Sequence, residues 1–280
     1  MMRKRKIKRK KLNYKHLFIL ITIVLLFITL ITSLYILIFN GINNHKINKK
    51  IKEIKEIVTI ENIDVDTKDT IEENNINSDL EDIYSKYMKM DLLSVNINEL
   101  KKINSDTKGW LSVNSTNINY PFVQTADNEY YLNHSFDKSN NKAGWVFLDY
   151  RNDINIEQKN TIIYAHGRVN KTMFGSLKDT LKNKWLSNKN NHFVKTSTNN
   201  KDSLWQVFSV YKIPTTSDYL QVYFTDNEEF YSFVTKLKNR SIYSFDVNLN
   251  NEDRIITLST CYNSKEKVVL HAKLVKEIQK

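Results

Sequence analysis

An uninterrupted apolar run near the N-terminus limits what this 280-residue chain can fold into. Residues 17–39 (LFILITIVLLFITLITSLYILIF) contain no charged side chain. As an α-helix the run is about 34 Å long, which matches the hydrocarbon thickness of a bilayer. A cleavable signal has a shorter apolar core and a small-residue cleavage site, whereas this run continues into Asn40 and Gly41. We therefore predict a retained transmembrane helix at 17–39, with an unusually long signal sequence as the alternative.

Positive charge is concentrated before this run. Residues 1–16 carry nine Lys and Arg and no Asp or Glu, which predicts a cytoplasmic basic tail and an extracellular location for everything after the helix. The remaining chain has 33 basic and 31 acidic side chains, so its net charge is close to zero. Nucleic-acid binding requires clustered positive charge and is therefore not expected.

Residues 40–78 are predicted to be an extracellular stalk and linker. Four isoleucines at helical spacing fit either one helical stripe or a fraying stalk. They are Ile47, Ile51, Ile54 and Ile57. Residues 60–78 are acidic and poorly patterned, which favours a linker. A helix is predicted to begin at Ser78, a candidate N-cap with Glu81 three residues later, so we place the folded domain at 79–280.

Within that domain the apolar pattern is that of short strands. The predicted strands lie at 110–124 (two strands around a turn), 145–150, 160–166, 192–196, 204–211, 254–260 and 267–275. The predicted helices lie at 127–133, 173–185 and 227–240. Many short strands with few helices of crossover length favour a mainly β fold with peripheral helices (α+β), built on a largely antiparallel closed sheet.

The only cysteine, Cys261, stands where the apolar strand 254–260 ends. A thiolate nucleophile is useful there, because a rigid strand holds it at the rim of the sheet. The alternative is a buried cysteine that acts as a small hydrophobe. Among six histidines, His166 also ends an apolar strand, whereas His271 lies inside the last strand, where a packed core imidazole is the usual explanation. We predict that Cys261 and His166 form a catalytic pair, with two unrelated strand ends as the alternative.

Several motifs, in order along the chain, resemble those of the sortases, membrane-anchored cysteine transpeptidases of Gram-positive surfaces. They are Gly109–Val113, Thr116–Gln124, Asp127–Leu132, Phe147–Arg151, Tyr164–His166, Thr172–Leu177 and Thr257–Cys261. The resemblance covers residues from about 80 to 276 and implies a closed eight-stranded β-barrel. An insertion of over 40 residues between Tyr211 and the Cys261 strand, with helical sequence before the first strand, is similar to class B.

The resemblance also implies the chemistry. The Cys261 thiolate would attack the Thr carbonyl of a sorting signal like Asn-Pro-X-Thr, and His166 would protonate the leaving amine. The expected partners are surface proteins with a C-terminal sorting signal, a peptidoglycan precursor or cell-wall peptide amine, and the membrane. Neither a cofactor nor a metal is expected. The implied substrate-binding residues are Ser259, Thr260, Thr215, Tyr219 and Leu220. Tyr219 and Leu220 could equally be core residues of the insertion.

The chain departs from the sortase pattern beside both catalytic positions. Lys267 stands where the family has a catalytic Arg, and an ammonium is a more compact and more strongly hydrated charge than a guanidinium. Ala165 stands where class B usually has Gly, and Gly167-Arg168 replaces the common Asn-Met. One hypothesis is that Arg168 partly replaces the missing guanidinium, and the alternative is a solvated loop arginine.

These departures leave other functions open. A catalytically weak surface protein could keep the sortase-like fold and only bind peptides, because Lys267 replaces the family Arg. A third hypothesis is that the protein is a hydrolytic cysteine peptidase. A transpeptidase differs from it in needing an amine to resolve the thioester.

Overall fold

A computed structural model describes residues 13–58, 60–63 and 87–280. Contacts divide the chain into one unit at residues 1–49 and a second at residues 50–280. The helix predicted to begin at Ser78 and most of the predicted linker lie outside the described residues, as do residues 1–12 of the basic tail.

Helix α1 (Tyr14–Ile57) contains the apolar run. Within the described part of the chain it is the single helix that is long and apolar enough to cross a membrane, as the sequence predicts. The helix continues well past residue 40 and ends close to the last of the four spaced isoleucines. In the second unit Ile54 and Val58 are buried, which shows that the end of α1 packs on the folded body and does not fray.

The predicted linker is wrong at its start, because residues 60–63 form a strand. Strand β1 (Ile60–Ile63) pairs antiparallel with β2 (Leu92–Val95), and Ile60 lies opposite Val95. The hydrogen-bonding partner comes about thirty residues later in the chain, so the composition of 60–78 could not reveal it.

Eight strands close into a barrel, as predicted. They are β3 (Thr107–Val113), β4 (Asn119–Val123), β5 (Phe147–Leu148), β6 (Asn160–Tyr164), β7 (Phe193–Thr198), β8 (Lys201–Pro214), β9 (Ile255–Cys261) and β10 (Glu266–Gln279). Around the barrel the order is β10-β8-β7-β3-β4-β5-β6-β9. The neighbours are antiparallel except for β4 with β5 and β6 with β9, which are parallel.

The barrel encloses an apolar core. Ile255, Ile256 and Leu258 of β9 are buried completely, together with large side chains from other strands such as Trp110 and Phe208. Each such aliphatic or aromatic side chain contributes roughly 1.5–3 kcal/mol on burial. Strand β9 is therefore a rigid support for Cys261 at its end.

The helices are peripheral: α2 (Ile97–Ile103), α3 (Asn183–Leu186) and α4 (Asn227–Asn239). The predicted helix at 227–240 is confirmed by α4. The one predicted at 173–185 is instead a 3₁₀ segment, Gly175–Leu181, followed by α3. At 127–133 only a 3₁₀ turn, Tyr130–Leu132, forms, because the Asp127 carboxylate accepts bonds from the amides of Glu129 and Tyr130 and closes a tight turn.

Candidate active site

The ends of two parallel strands place Cys261 and His166 at one edge of the barrel. In the pairing of β6 with β9, Tyr164 lies opposite Ser259. Each of the two catalytic candidates comes two residues after its member of that pair. Parallel strands finish at the same edge of a sheet, so residues distant in sequence meet there.

Two contacts hold these strand ends together. The Thr260 hydroxyl donates to the Ala165 carbonyl at 2.7 Å, and Thr260 is buried. A Cβ atom added to Gly167 would lie 2.1 Å from the Cys261 carbonyl oxygen. Because no side chain fits in that space, glycine permits the residue after His166 to contact the backbone of the nucleophile.

Lys267 supplies a cation to the sulfur. It lies directly opposite Cys261 in the antiparallel pairing of β9 with β10, and its Nζ donates to Cys261 Sγ at 3.1 Å. Cys261 is partly exposed, which contradicts a fully buried structural cysteine. The sulfur thus faces a positively charged side chain, and the thiolate is the nucleophilic form of a cysteine.

The backbone around Leu132 orients the His166 imidazole. Its Nε2 lies 2.8 Å from the Leu132 carbonyl oxygen, which can only accept a hydrogen bond. Nε2 therefore carries a proton, and Nδ1 is the nitrogen that can accept or release one. Gly144, at a φ of 61°, approaches the same edge of the ring: a Cβ there would lie 3.0 Å from His166 Cδ2, the carbon bonded to Nε2.

Three of the predicted substrate-binding residues are buried. The Tyr219 hydroxyl and Ser259 Oγ lie 2.9 Å apart in one hydrogen bond, and Thr260 is tied to β6 as described above. Burial raises the pKa of Tyr219. Thr215 is exposed and Leu220 is partly exposed, so of the five these two offer the most surface to a peptide.

Arg168 lies on the loop that follows His166. Its Nε is 3.4 Å from Asn170 Oδ1, and burial lowers the pKa of its guanidinium. The Lys267 ammonium contacts the sulfur at 3.1 Å. The proposed relocation of the guanidinium to Arg168 stays a hypothesis.

The sequence reasoning missed a buried ion pair near this edge. The Asp149 side chain is fully buried and accepts from Arg151 Nε at 2.9 Å and from Arg151 Nη2 at 2.8 Å. Tyr164, two residues before His166, also donates to Asp149, at 2.8 Å. Burial opposes ionisation, but the bonds from Arg151 outweigh it and lower the pKa of Asp149. The sequence feature that could have indicated this ion pair is the carboxylate of Asp149 at the end of the apolar run 145–148.

His271 is a core imidazole, as predicted. It is fully buried, and burial, followed by the charge of Arg240, lowers its pKa to about 3. Among the residues that the structure describes, no group of three or more His, Cys, Asp or Glu side chains is arranged to hold a metal ion.

The chain is similar to known proteins over most of this domain. A family model described as Sortase domain matches residues 111–275. Sortase B of Listeria monocytogenes is 34% identical over 208 residues, which cover 70% of this chain and 83% of that protein. Sortase B of Staphylococcus aureus is 34% identical over 181 residues, 63% of this chain and 73% of that protein.

Solved structures of sortase B are also similar to this chain. A Staphylococcus aureus sortase B–substrate complex has a TM-score of 0.61 and 33% identity, and the match covers 64% of this chain and 84% of that one. Clostridium perfringens sortase B has a TM-score of 0.61 and 31% identity, with 65% of this chain and all of that one (100%) covered.

Proposed function

Because this chain belongs to the sortase family of cysteine transpeptidases and has class B sortases among its relatives, we propose that it cleaves an Asn-Pro-X-Thr-like sorting signal after Thr. The acyl group is then transferred to a cell-wall peptide amine. The observation that carries the proposal is the cluster at one barrel edge, where Lys267 Nζ lies 3.1 Å from Cys261 Sγ and His166 lies at the end of the neighbouring parallel strand.

In the first half of the reaction the Cys261 thiolate attacks the Thr carbonyl carbon. The C–S bond forms and the C–N bond breaks, and protonated His166 gives a proton to the leaving amine. The Lys267 ammonium stabilises the thiolate before attack, and its charge is also close to the oxyanion that develops during attack.

In the second half an amine attacks the thioester carbonyl. His166 takes the amine proton, the new C–N bond forms, and the C–S bond breaks to restore the thiolate. The hydrogen bond from Nε2 to Leu132 keeps Nδ1 available for both proton transfers.

The partners in this proposal are surface proteins with a C-terminal sorting signal and a peptidoglycan precursor or cell-wall peptide amine. Helix α1 anchors the chain in the cell membrane, with the basic N-terminus in the cytoplasm and the catalytic domain outside. The nearly balanced charge after residue 16 supports a peptide substrate over a nucleic acid.

Mass spectrometry of the full chain in detergent tests the proposal. After incubation with a library of Asn-Pro-X-Thr peptides we expect a thioester on Cys261 that is absent in Cys261→Ala. His166→Ala should lower kcat by about 10²–10⁴-fold, the usual range for a lost general acid.

Product analysis separates the alternatives. An added peptide amine should convert the thioester into a ligated product and raise turnover. A rate of hydrolysis that ignores the amine would indicate a peptidase, and peptide binding without any thioester would indicate a binding protein.

A further inference from the structure

The loop between β8 and α4 (residues 215–226, the β8–α4 loop) has four consecutive residues that are each held by a different partner side chain. Regular strand pairing is absent there, so these bonds decide its shape. The pairs are Asp218 with Arg240 (3.0 Å), Tyr219 with Ser259 (2.9 Å), the Leu220 carbonyl with Arg151 (3.0 Å) and the Gln221 carbonyl with Asn160 (2.8 Å).

This loop runs beside the nucleophile. The Thr215 amide donates to the Lys265 carbonyl at 2.9 Å, in the turn that joins β9 to β10. Tyr219 bonds Ser259, two residues before Cys261. The exposed surface of Thr215 and the partly exposed surface of Leu220 therefore lie along the edge that carries the sulfur.

Arg151 joins this loop to the strand that leads to His166. Its guanidinium makes a two-point contact with the buried Asp149, and Nη2 also donates to the Leu220 carbonyl at 3.0 Å. Asp149 in turn accepts from Tyr164 on β6. In addition, the Tyr223 hydroxyl donates to the Arg151 carbonyl at 2.9 Å, so the residue contacts the loop at two places.

We propose that Arg151 is a positioning residue for the substrate peptide: it fixes the main chain at Leu220 and thereby the shape of the peptide groove beside Cys261. This inference rests on the proposed transpeptidase function. A lysine cannot replace the arginine fully, because a single ammonium lacks the rigid fork that serves the two carboxylate oxygens and the carbonyl together.

The test compares Arg151→Lys and Arg151→Gln with Arg254→Gln in the full chain. Arg254 is a matched control, because it also bonds two carboxylates, those of Glu157 and Glu277, but stands just before β9 at the end opposite Cys261. For Arg151→Gln we expect KM for a sorting peptide to rise about tenfold while kcat changes less than about threefold, the signature of lost binding. Arg151→Lys should lie between it and the wild type.

Two further measurements separate positioning from general damage. The alkylation rate of Cys261 by iodoacetamide should be unchanged, since the nucleophile and Lys267 are untouched. Amide hydrogen exchange at residues 217–222 should be about tenfold faster in Arg151→Gln, with β9 unaffected.

An unchanged KM, or an equal rise in KM in Arg254→Gln, would overturn the inference. If the wild type processes no sorting peptide, the proposed function fails independently. Hydrogen exchange then tests the structural part of the inference alone: faster exchange at 217–222 supports that Arg151 fixes the main chain at Leu220, and unchanged exchange refutes it.

Discussion

Lys267 places an ammonium where the family pattern has a guanidinium, and the contact of 3.1 Å with Cys261 Sγ shows that the shorter side chain still reaches the sulfur. A point charge can stabilise a thiolate, but it offers a substrate oxygen no planar fork. Charge at the sulfur is thus retained, whereas two-point hydrogen bonding is lost.

Substitution of Lys267 tests which cation acts. We expect Lys267→Ala to lower kcat/KM by roughly 10²–10³-fold, the usual cost of removing one transition-state donor. Lys267→Arg should keep most of the activity, and Arg168→Ala should leave it unchanged. Steady-state kinetics with a quenched sorting peptide would measure all three. A large loss in Arg168→Ala would transfer the role to that residue.

Gly167 is a second sensitive residue. Since a Cβ would lie 2.1 Å from the Cys261 carbonyl oxygen, Gly167→Ala must push the end of β6 away from β9. A displacement of about 1 Å between catalytic groups can cost 10²-fold, so we expect kcat/KM to fall by one to two orders of magnitude. Gly41→Ala is the control, because nothing lies within 4 Å of that Cβ. Wild-type kinetics in Gly167→Ala would contradict this prediction, because they would show that the backbone can accommodate the Cβ without displacing the catalytic groups.

At the scale of elements, α4 shows how local chemistry sets a boundary. The Asp226 carboxylate accepts from the Glu229 amide at 2.8 Å, and the Glu229 carboxylate accepts from the Thr225 amide at 2.6 Å. The first bond satisfies an amide that the first turn of a helix leaves unpaired, and the second satisfies the amide of the residue just before the N-cap. Glu229 also accepts from Gln221, so the start of α4 contributes to the order of the β8–α4 loop.

Removal of this cap should cost stability without touching the nucleophile. We expect Asp226→Ala to lower the free energy of unfolding by about 1 kcal/mol, whereas Asp226→Asn should lose only a small part of that. Urea unfolding followed by circular dichroism would measure the difference. The exposed neighbour Glu228→Ala is the control, and an equal loss there would contradict the capping role.

In the whole molecule, a chain of buried polar side chains runs across four neighbouring strands, β6, β9, β10 and β8. Thr257 Oγ1 donates to Asn160 Oδ1 at 2.7 Å, so it accepts from His271 Nδ1 at 2.9 Å, and His271 Nε2 then accepts from the Tyr211 hydroxyl at 2.8 Å. Each hydrogen bond in this chain therefore has a defined donor and a defined acceptor. A proton added to His271 would leave Nε2 without an acceptor role and place a charge in the core.

Stability should therefore fall on acidification. The folded-state pKa of His271 is lowered from 6.5 to about 3 by burial, so below pH 6.5 the unfolded chain binds a proton that the folded chain excludes. We expect the free energy of unfolding to drop by about 2 kcal/mol between pH 7 and pH 5 from this residue alone. Burial lowers the pKa of His192 too, which adds to the trend.

The variant His271→Gln isolates this contribution. Denaturant unfolding of the wild type and the variant at pH 7, 6 and 5 should give curves that converge as the pH falls, because only the wild type carries the His271 penalty. Parallel curves would show that His271 does not titrate in the unfolded chain as argued.

Features that depend on residues near one another in the chain could be predicted from the amino-acid order: the apolar span at 17–39, most strands, helix α4, and the positions of Cys261 and His166 at strand ends. Hydrophobic periodicity and capping are local, so a linear pattern records them. The family motifs added the closed barrel and the expectation of a cation at Lys267.

Features that depend on pairing between distant segments could not be predicted and are seen in the folded chain. Three such contacts join segments far apart in the chain: the parallel pairing of β6 with β9, the antiparallel pairing of β1 with β2, and the hydrogen bond from Arg151 to the Leu220 carbonyl. Every strand offers the same backbone N–H and C=O groups for pairing. The sequence of a strand therefore does not identify the strand that it will pair with. The strand predicted at 145–150 is limited to Phe147–Leu148 for the same reason, since Asp149 turns inward to meet Arg151.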